Sequence, residues 1–235
     1  MSTMNLGLVS VVGGNRGAVG TAENSRRTFP LRPVVLAGAV VCTALLGRRF
    51  ARWGATDDER TLPLPGDELL PLPGTTATRA ITIHAWADDV WPWIAQLGQG
   101  RGGFYSYDLL ENVVARCDIH SADRIVEQWQ DISVGDQVRL APEVPLTVAV
   151  LEPGRALVLR GAVPLGETPA PYDFSWAFVL HTLPGGKTRL LVRERYRYLR
   201  PWGRLIVGPA GLVSSLMSPK MLRGIKSRVE HAGST

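Results

Sequence analysis

The sequence predicts an α+β fold with a strand, a helical region, a run of antiparallel strands and a C-terminal helix, in that order. Between residues 134 and 199, short segments of alternating apolar and polar residues are separated by turn sequences such as EPGR and LPGGK. No helical segment stands between these strands, so consecutive strands are expected to pair as antiparallel hairpins. The last stretch places Met217, Met221, Ile225 and Val229 four residues apart, which indicates one buried helix face.

The composition is that of a globular protein. Of the 235 residues, 45% are hydrophobic and 20% are charged. Without the N-terminal segments described below, about 160 residues remain, which is enough to bury a core without disulfides. The two cysteines, Cys42 and Cys117, form neither a CxxC nor a Cys/His pattern. We therefore predict no metal site and no cofactor.

The chain is basic, with a net charge of +5 and an isoelectric point near 9.6. Basic proteins bind nucleic acids or anionic membrane surfaces, or use their charge for solubility. No nucleic-acid-binding motif accompanies the arginines. We expect no nucleic-acid partner and favour a membrane, while the oligomeric state stays open.

The N-terminal region divides into a disordered stretch and an apolar run. Residues 1–30 are rich in Gly, Ser and Asn without a sustained period, which is typical of disorder. Residues 31–53 are predicted to form a membrane anchor helix, because 33–47 carry no charge and arginines flank them on both sides. A helix of fifteen residues is about 22 Å long, short for a span, so the bilayer would thin around it.

Three alternatives compete with the anchor. A cleaved signal peptide is disfavoured because GRRFAR follows the run where small residues are needed. Lipid attachment at Cys42 is disfavoured because Val41 occupies the preceding position. A buried core helix fits poorly between two pairs of arginines, so the predicted location is the membrane, with the cytoplasm as the alternative and the orientation unassigned.

Residues 54–76 are predicted to be an extended spacer. Pro63, Pro65, Pro71 and Pro73 each lack a backbone N–H, which disfavours both helix and sheet. The folded domain is therefore predicted to occupy residues 77–235.

Within this domain the elements follow from periodicity. TRAITIH (78–84) alternates, with Ile81 and Ile83 on one face, and residues 85–117 have helical spacing. The final helix is expected to start near Ser218, because prolines stand at 209 and 219. The strands are predicted at 134–140, 146–151, 156–161, 173–182 and 187–199, with a further short one near 124–129.

The stretch Gly98-Gln-Gly-Arg-Gly-Gly103 matches GxGxxG, a motif of nucleotide-binding loops. Such a loop requires a preceding strand and a following helix in a βαβ unit. Here a helical segment precedes it. The motif is therefore interpreted as a helix–helix corner in which Gly98 and Gly100 adopt backbone conformations that other residues avoid.

The last predicted strand, KTRLLVRERYRYL, has two different faces. Arg189, Arg193, Arg195 and Arg197 share one face, which is expected to be in water. Glu194 must then point inward, where a carboxylate requires a partner. We expect that partner to be Arg101 or an arginine of the last helix, and the alternative is a ligand anchor or a general base.

Aromatic residues mark the predicted interior. Phe174, Trp176, Phe178 and Leu180 share one strand face, which core packing alone would also explain. The weak catalytic candidates are Glu194, Tyr196 and His120, and Tyr107 is a further candidate acid or base. The predicted ligand-binding residues are Trp93, Tyr105, Tyr107, Phe174, Trp176, Phe178, Glu194, Tyr196 and Tyr198.

Several blocks, among them ITIHA, VWPWIAQLGQG, RGGFYSYDLLEN and MLRGIKSRVE, give the region 78–232 a resemblance to the SRPBCC superfamily. These are START-like, helix-grip proteins that include polyketide cyclase/dehydrase-like members. The resemblance implies a curved antiparallel sheet wrapped around a long C-terminal helix, with an apolar cavity between them. It also implies lipids, polyketides or similar apolar molecules as ligands.

Three functions are compatible with the sequence. The favoured one is a membrane-tethered module that binds an apolar small molecule. The second is an enzyme of cyclase or dehydratase type acting in the same cavity. The third is a regulatory or structural protein whose cavity is filled by its own side chains.

Overall fold

The computed structural model describes residues 49, 51–106, 121–162 and 170–232, with every side chain except that of residue 210. These residues belong to one compact unit. Its helices are α1 (Asp57–Thr61), α2 (Ala87–Ala95) and α3 (Gly203–Ala232), with 3-10 turns at Asp67–Leu69 and Glu127–Trp129. Its strands are β1 (Thr75–Ile83), β2 (Gln137–Ala141), β3 (Val144–Glu152), β4 (Ala156–Gly161), β5 (Tyr172–Leu183) and β6 (Lys187–Tyr198).

The six strands form one curved antiparallel sheet in the order β1-β6-β5-β4-β3-β2. From β2 to β6 each strand pairs with the next along the chain, and β1 adds to β6 at the other edge. Register shifts interrupt β2–β3 near Arg139 and β3–β4 near Val148, as bulges that bend a sheet do. With α3 packed against one face, this arrangement confirms the predicted α+β helix-grip fold class.

The five predicted strands from 134 to 199 are confirmed within a few residues. The short strand predicted near 124–129 is wrong, because the chain there forms the 3-10 turn Glu127–Trp129. The stretch 124–129 is too short for its residue pattern to distinguish a strand from a single turn.

The start predicted for the last helix is also wrong. Helix α3 begins at Gly203 and runs through both Pro209 and Pro219. Each proline removes one backbone hydrogen bond, at a cost of about 3 kcal/mol in an isolated helix. Packing outweighs that cost here, since Val207, Leu222 and other residues of α3 are buried in the main core.

The segment predicted as an extended spacer is a packed part of the domain. Residues 54–70, which we call the outer strap, contain α1 and a 3-10 turn and lie on the face of the sheet opposite α3. Leu64 of the strap joins a second hydrophobic cluster with Val158, Val179 and Leu191. The prolines prevented a long helix, and they did not prevent burial.

The strap also changes the environment of the outward-facing arginines. As predicted, they point away from α3, but Arg193 is only 2% exposed and is not in water. Its guanidinium donates to Asp67 Oδ2 at 2.6 Å and to the carbonyls of Glu59 and Leu62. Arg195 donates to Asp67 Oδ1 at 3.0 Å. The outer face is therefore a second, charge-paired layer of the fold.

The glycine corner is closed on itself. Gly98 and Gly100 have φ angles of 125° and 75°, as predicted for positions that suit glycine. The amides of Gly98 and Gly103 donate to each other's carbonyls, and those of Gln99, Arg101 and Gly102 donate to other protein carbonyls. The loop therefore has no set of free amides to cradle a phosphate.

Several predictions fall outside the described residues. These are the N-terminal stretch 1–30, the apolar run 33–47, the helical spacing after 106, and the site candidates Tyr107 and His120. Among the described helices, α3 is long and apolar enough to cross a membrane, a property it shares with core helices of soluble proteins.

Candidate ligand site on the inner face of the sheet

The inner face of the sheet, which faces α3, carries a carboxylate next to aromatic rings. Strand pairing places Trp176 of β5 opposite Glu194 of β6, and Phe174 opposite Tyr196. Because side chains alternate along a strand, all four point to the same side. Glu194 is 2% exposed. The predicted inward orientation of Glu194 is therefore confirmed.

Glu194 belongs to a set of polar residues that we call the inner polar cluster: Arg79, Glu194, Tyr196, Ser214 and Ser218. Arg79 of β1 donates to Glu194 Oε1 at 2.7 Å, and both side chains are almost fully buried. The hydroxyls of Ser214 and Ser218 donate to the same oxygen at 2.5 and 3.1 Å. The cluster joins the edge of the sheet to α3.

The ion-pair partner of Glu194 was predicted wrongly. Arg101 donates instead to the carbonyl oxygens of Ala95 and Trp129, and Arg228 of α3 bonds Asp123 and Ala122. The actual partner, Arg79, could have been found. It stands two residues before Ile81 in the alternating segment and so shares the inward face of β1.

The serines of α3 were also missed. Ser214 and Ser218 are one helical turn apart, so both face the sheet, and Ser215 accepts from Arg79 Nη2 at 3.4 Å. Because the helix is expected to start only near Ser218, residue 214 is not expected on a helix face.

Tyr196 is held as a neutral phenol. Burial raises its pKa well above the ordinary value, and the Glu194 carboxylate adds to the effect. Its hydroxyl donates to Glu194 Oε2 over a long distance of 3.4 Å. While Oε1 accepts three hydrogen bonds from described residues, Oε2 accepts this single long one, so it retains capacity for another donor.

An aromatic band continues from the cluster. Phe104, Tyr172, Phe174, Trp176, Phe178 and Tyr196 are linked by ring contacts with centroids 4.7–6.5 Å apart. Phe174, Trp176 and Tyr196 each keep 7% exposure, whereas Phe178, further along β5, has none. The residual exposure is therefore at the end of the band nearest Glu194.

Trp176 carries a buried donor without an acceptor. Its Nε1 is one of four buried side-chain nitrogen and oxygen atoms in the described part of the chain that have no hydrogen-bond partner. An unsatisfied buried donor costs about 1–3 kcal/mol. The inner face therefore carries one unpaired donor, on Trp176, and one under-used acceptor, on its cross-strand partner Glu194.

The other described residues that were predicted to bind a ligand are Trp93, Tyr105 and Tyr198. Trp93 and Tyr105 pack edge to face at 5.7 Å, and the Tyr105 hydroxyl accepts from Gln96 and donates to the Trp93 carbonyl. Burial raises the pKa of Tyr105 to about 12. Tyr198 ends β6, with its hydroxyl 2.5 Å from Thr75 Oγ1. All three side chains are engaged in structural contacts, and Tyr198 also shares the inner face of β6 with Tyr196 and pairs with Tyr172 of β5.

A separate polar pocket of about 350 Å³ lies beside Tyr105 and the second half of α3. Its lining is polar and basic: Tyr105, Ser106, Ser121, Lys220, Arg223, Gly224, Ser227 and Arg228. It differs in character from the apolar cavity that the sequence predicts. Within the described ranges, no group of three or more His, Cys, Asp or Glu residues is arranged to hold a metal ion.

The fold and this site together define a helix-grip domain with a buried ion pair and an aromatic inner face. Comparison with known proteins found no matching family model and no matching curated protein. Among solved structures, the chain is similar to the Zhui aromatase/cyclase from Streptomyces sp. R1128, with 18% identity over 67% of this chain and 94% of that one, at a TM-score of 0.38.

It is also similar to norcoclaurine synthase from Thalictrum flavum, with 13% identity, 66% and 86% coverage and a TM-score of 0.41. A protein from Mesorhizobium loti gives 17% identity, 67% and 98% coverage and a TM-score of 0.41. An aromatase/cyclase is thus among the similar structures, as the resemblance to polyketide cyclase-like proteins led us to expect.

Proposed function

We propose that this domain binds an apolar small molecule between the inner face of the sheet and α3, and that Trp176 and Glu194 hold its polar end. The proposal includes tethering to a membrane, which rests on the uncharged run at 33–47 and the arginines around it. The aromatic band provides the apolar surface that the ligand contacts, and the inner polar cluster determines the orientation of the ligand.

The observation that carries this proposal is the pairing of an unpartnered donor with an under-used acceptor. Trp176 Nε1 has no acceptor, and Glu194 Oε2 accepts one hydrogen bond of 3.4 Å. The two residues are direct cross-strand neighbours on the same face. A ligand hydroxyl can accept from the indole and donate to the carboxylate, so it satisfies both atoms at once.

The least buried end of the aromatic band lies at these two residues. Phe174 and Tyr196 border them and share the 7% exposure of Trp176. Flat aromatic rings favour a planar or thin ligand that can stack or lie edge-on against them. We therefore infer an aromatic or polyketide-like molecule with a hydroxyl group as the best-fitting class.

Binding ranks ahead of catalysis because of how the carboxylate is occupied. Glu194 Oε1 already accepts from Arg79, Ser214 and Ser218. A general base needs an oxygen directed at the proton that it removes, and only Oε2 is left for a ligand here, while Oε1 is committed to the fold. The buried ion pair serves as an anchor for α3 and as a fixed recognition group.

The test uses two ligands that differ by one hydroxyl group, 2-naphthol and naphthalene. The full chain is titrated with each ligand, and the dissociation constant for naphthalene is divided by the dissociation constant for 2-naphthol. One or two net hydrogen bonds of about 0.5–1.5 kcal/mol each predict up to roughly a hundredfold preference for 2-naphthol. Glu194→Gln and Trp176→Phe should each reduce this ratio.

Phe178→Leu is the matched control, because Phe178 lies on the same strand face at the sealed end of the band. This variant can weaken the binding of both ligands, but it should leave the ratio of their dissociation constants unchanged. Equal affinity for 2-naphthol and naphthalene would overturn the role of the polar pair, and no binding of either would overturn the ligand site itself.

A further inference from the structure

The first half of α3 exposes apolar side chains to solvent. Leu205 is 77% exposed and Leu216 is 51% exposed, and Leu212 and Val213 between them are also exposed. At 100° per residue these positions fall on one side of the helix. We call Leu205, Leu212, Val213 and Leu216 the apolar stripe.

The second half of the same helix behaves differently. Lys220, Arg223 and Ser227 continue the line of the apolar stripe and are exposed, while Met221, Ile225 and Val229 are buried. That half is an ordinary amphipathic helix. From 205 to 219, by contrast, no residue is charged, and the exposed outer side of the helix there is apolar.

The exposed apolar surface extends past the start of the helix. Leu199 and Trp202, directly before α3, are both about half exposed. Contiguous apolar surface of this kind marks a site that is covered in the working protein. Tryptophan is moreover enriched where proteins meet the membrane interface.

The charge around the stripe identifies what covers it. Residues 195–229 contain no Asp or Glu. Arg200 and Arg204 stand at one end of the stripe, and Lys220 and Arg223 stand at the other. A surface with an apolar centre and cations at both ends is complementary to an anionic lipid bilayer, where acyl chains lie beneath phosphate head groups.

The stripe cannot act as a membrane span. It covers eleven residue steps, about 17 Å, against a hydrocarbon core of about 30 Å. The opposite side of the helix is committed to the sheet, where Ser214 and Ser218 bond Glu194 and Val207 is buried. A helix with one face in the protein and the other apolar is suited to lie in the plane of the interface.

We propose that α3 is a second membrane contact of this protein: the apolar stripe inserts into the head-group region of an anionic bilayer, with the flanking cations on lipid phosphates. This contact is distinct from the apolar run at 33–47 and does not depend on ligand binding. In this arrangement the outer side of α3 faces lipid, and the inner side of the same helix closes the inner polar cluster.

The experiment measures the depth of a probe in the full chain. Cys42 and Cys117 are replaced by serine, and an environment-sensitive fluorophore is attached at Leu216→Cys. The protein is mixed with vesicles of phosphatidylcholine alone or with phosphatidylglycerol, each with or without a quencher on a shallow acyl position. Because interfacial helices bury their apolar face about 5–10 Å deep, lipid quenching is expected at residue 216 in the anionic vesicles.

The matched control is a probe at Glu143→Cys, an exposed position on the β2–β3 turn, which should not be quenched. A further variant carries Leu205→Gln, Leu212→Gln and Leu216→Gln with the probe at Val213→Cys, and it should lose the quenching. All three leucines are exposed, so circular dichroism should show an unchanged fold.

Three results would overturn the proposal. The probe at residue 216 could remain in water in both vesicle types. It could become shielded without lipid quenching, which would mean that another copy, another segment of this chain or a protein partner covers the stripe. Equal quenching in neutral and anionic vesicles would show that the flanking cations do not select the surface.

Discussion

The outer strap makes a strong prediction about stability, centred on Asp67. Its two carboxylate oxygens bond Arg193 at 2.6 Å and Arg195 at 3.0 Å, and Oδ2 also accepts from the Leu64 amide at 3.0 Å. Burial lowers the pKa of Arg193 while Asp67 counteracts that shift. Asp67→Ala therefore leaves a buried guanidinium without its carboxylate.

The magnitude follows from that loss. Removing one partner of a buried ion pair costs about 3–5 kcal/mol. Arg193 keeps the carbonyl oxygens of Glu59, Arg60 and Leu62 as acceptors, and Asp67 itself is one-fifth exposed. Both facts point to the lower end, about 3 kcal/mol. With a urea slope of roughly 2 kcal/mol per molar, the unfolding midpoint should fall by about 1.5 M.

Urea unfolding followed by tryptophan fluorescence measures this shift. Asp57→Ala is the matched control, because Asp57 lies in the same strap and pairs with Arg60 while being almost fully exposed. Surface pairs contribute at most about 1 kcal/mol, so the control should move the midpoint little. If Asp67→Ala behaved like Asp57→Ala, the strap would not be an integral layer of the fold.

Three further predictions concern single residues. Burial raises the pKa of Tyr105 to about 12 from an ordinary 10.0, so the wild type should lose stability between pH 10 and 12, where the unfolded chain releases a proton that the folded chain retains. Alkaline unfolding should be shallower in Tyr105→Phe, and an unchanged slope would contradict the assignment. The hydrogen bond from Arg189 lowers the pKa of Glu59 below 4.5. The ionised Glu59 therefore stabilises the fold above pH 4.5, and this stabilisation disappears as the pH falls through the lowered pKa. Glu59→Gln should lose less stability than the wild type over the same acid range. Leu70, the last residue of the strap, is fully buried, and Leu70→Ala should cost about 2–5 kcal/mol in urea unfolding, whereas Leu72→Ala at the exposed position two residues later should change little.

The strand faces were predictable because alternation is a local property. In KTRLLVRERYRYL, the row of arginines fixed which side faces out, and the structure places Glu194 and Tyr196 on the inner side. The same reasoning applied to TRAITIH would have placed Arg79 beside them. Residues 174–180 likewise needed only their period of two to be assigned to one face.

The outer strap and the start of α3 were not predictable, because tertiary packing overrode local rules in both. Prolines at 63, 65, 71 and 73 indicate an extended chain, and nothing in their spacing shows that Leu64 and Leu70 will be buried. Pro209 and Pro219 signal a helix end, yet α3 continues through both since its inner face packs on the sheet. Partners far apart in sequence, such as Asp67 with Arg193, have no local signature.

The most direct test of the proposed function observes the indole N–H of Trp176. In a ¹⁵N-labelled full chain, this resonance is assigned by its loss in Trp176→Phe, and 2-naphthol is then titrated. The ligand hydroxyl should accept from Nε1, so the Trp176 resonance should shift downfield with saturation, while naphthalene should not produce that downfield change. A Trp176 resonance that stays in place as 2-naphthol saturates the protein would contradict the proposal that this donor and Glu194 hold the ligand.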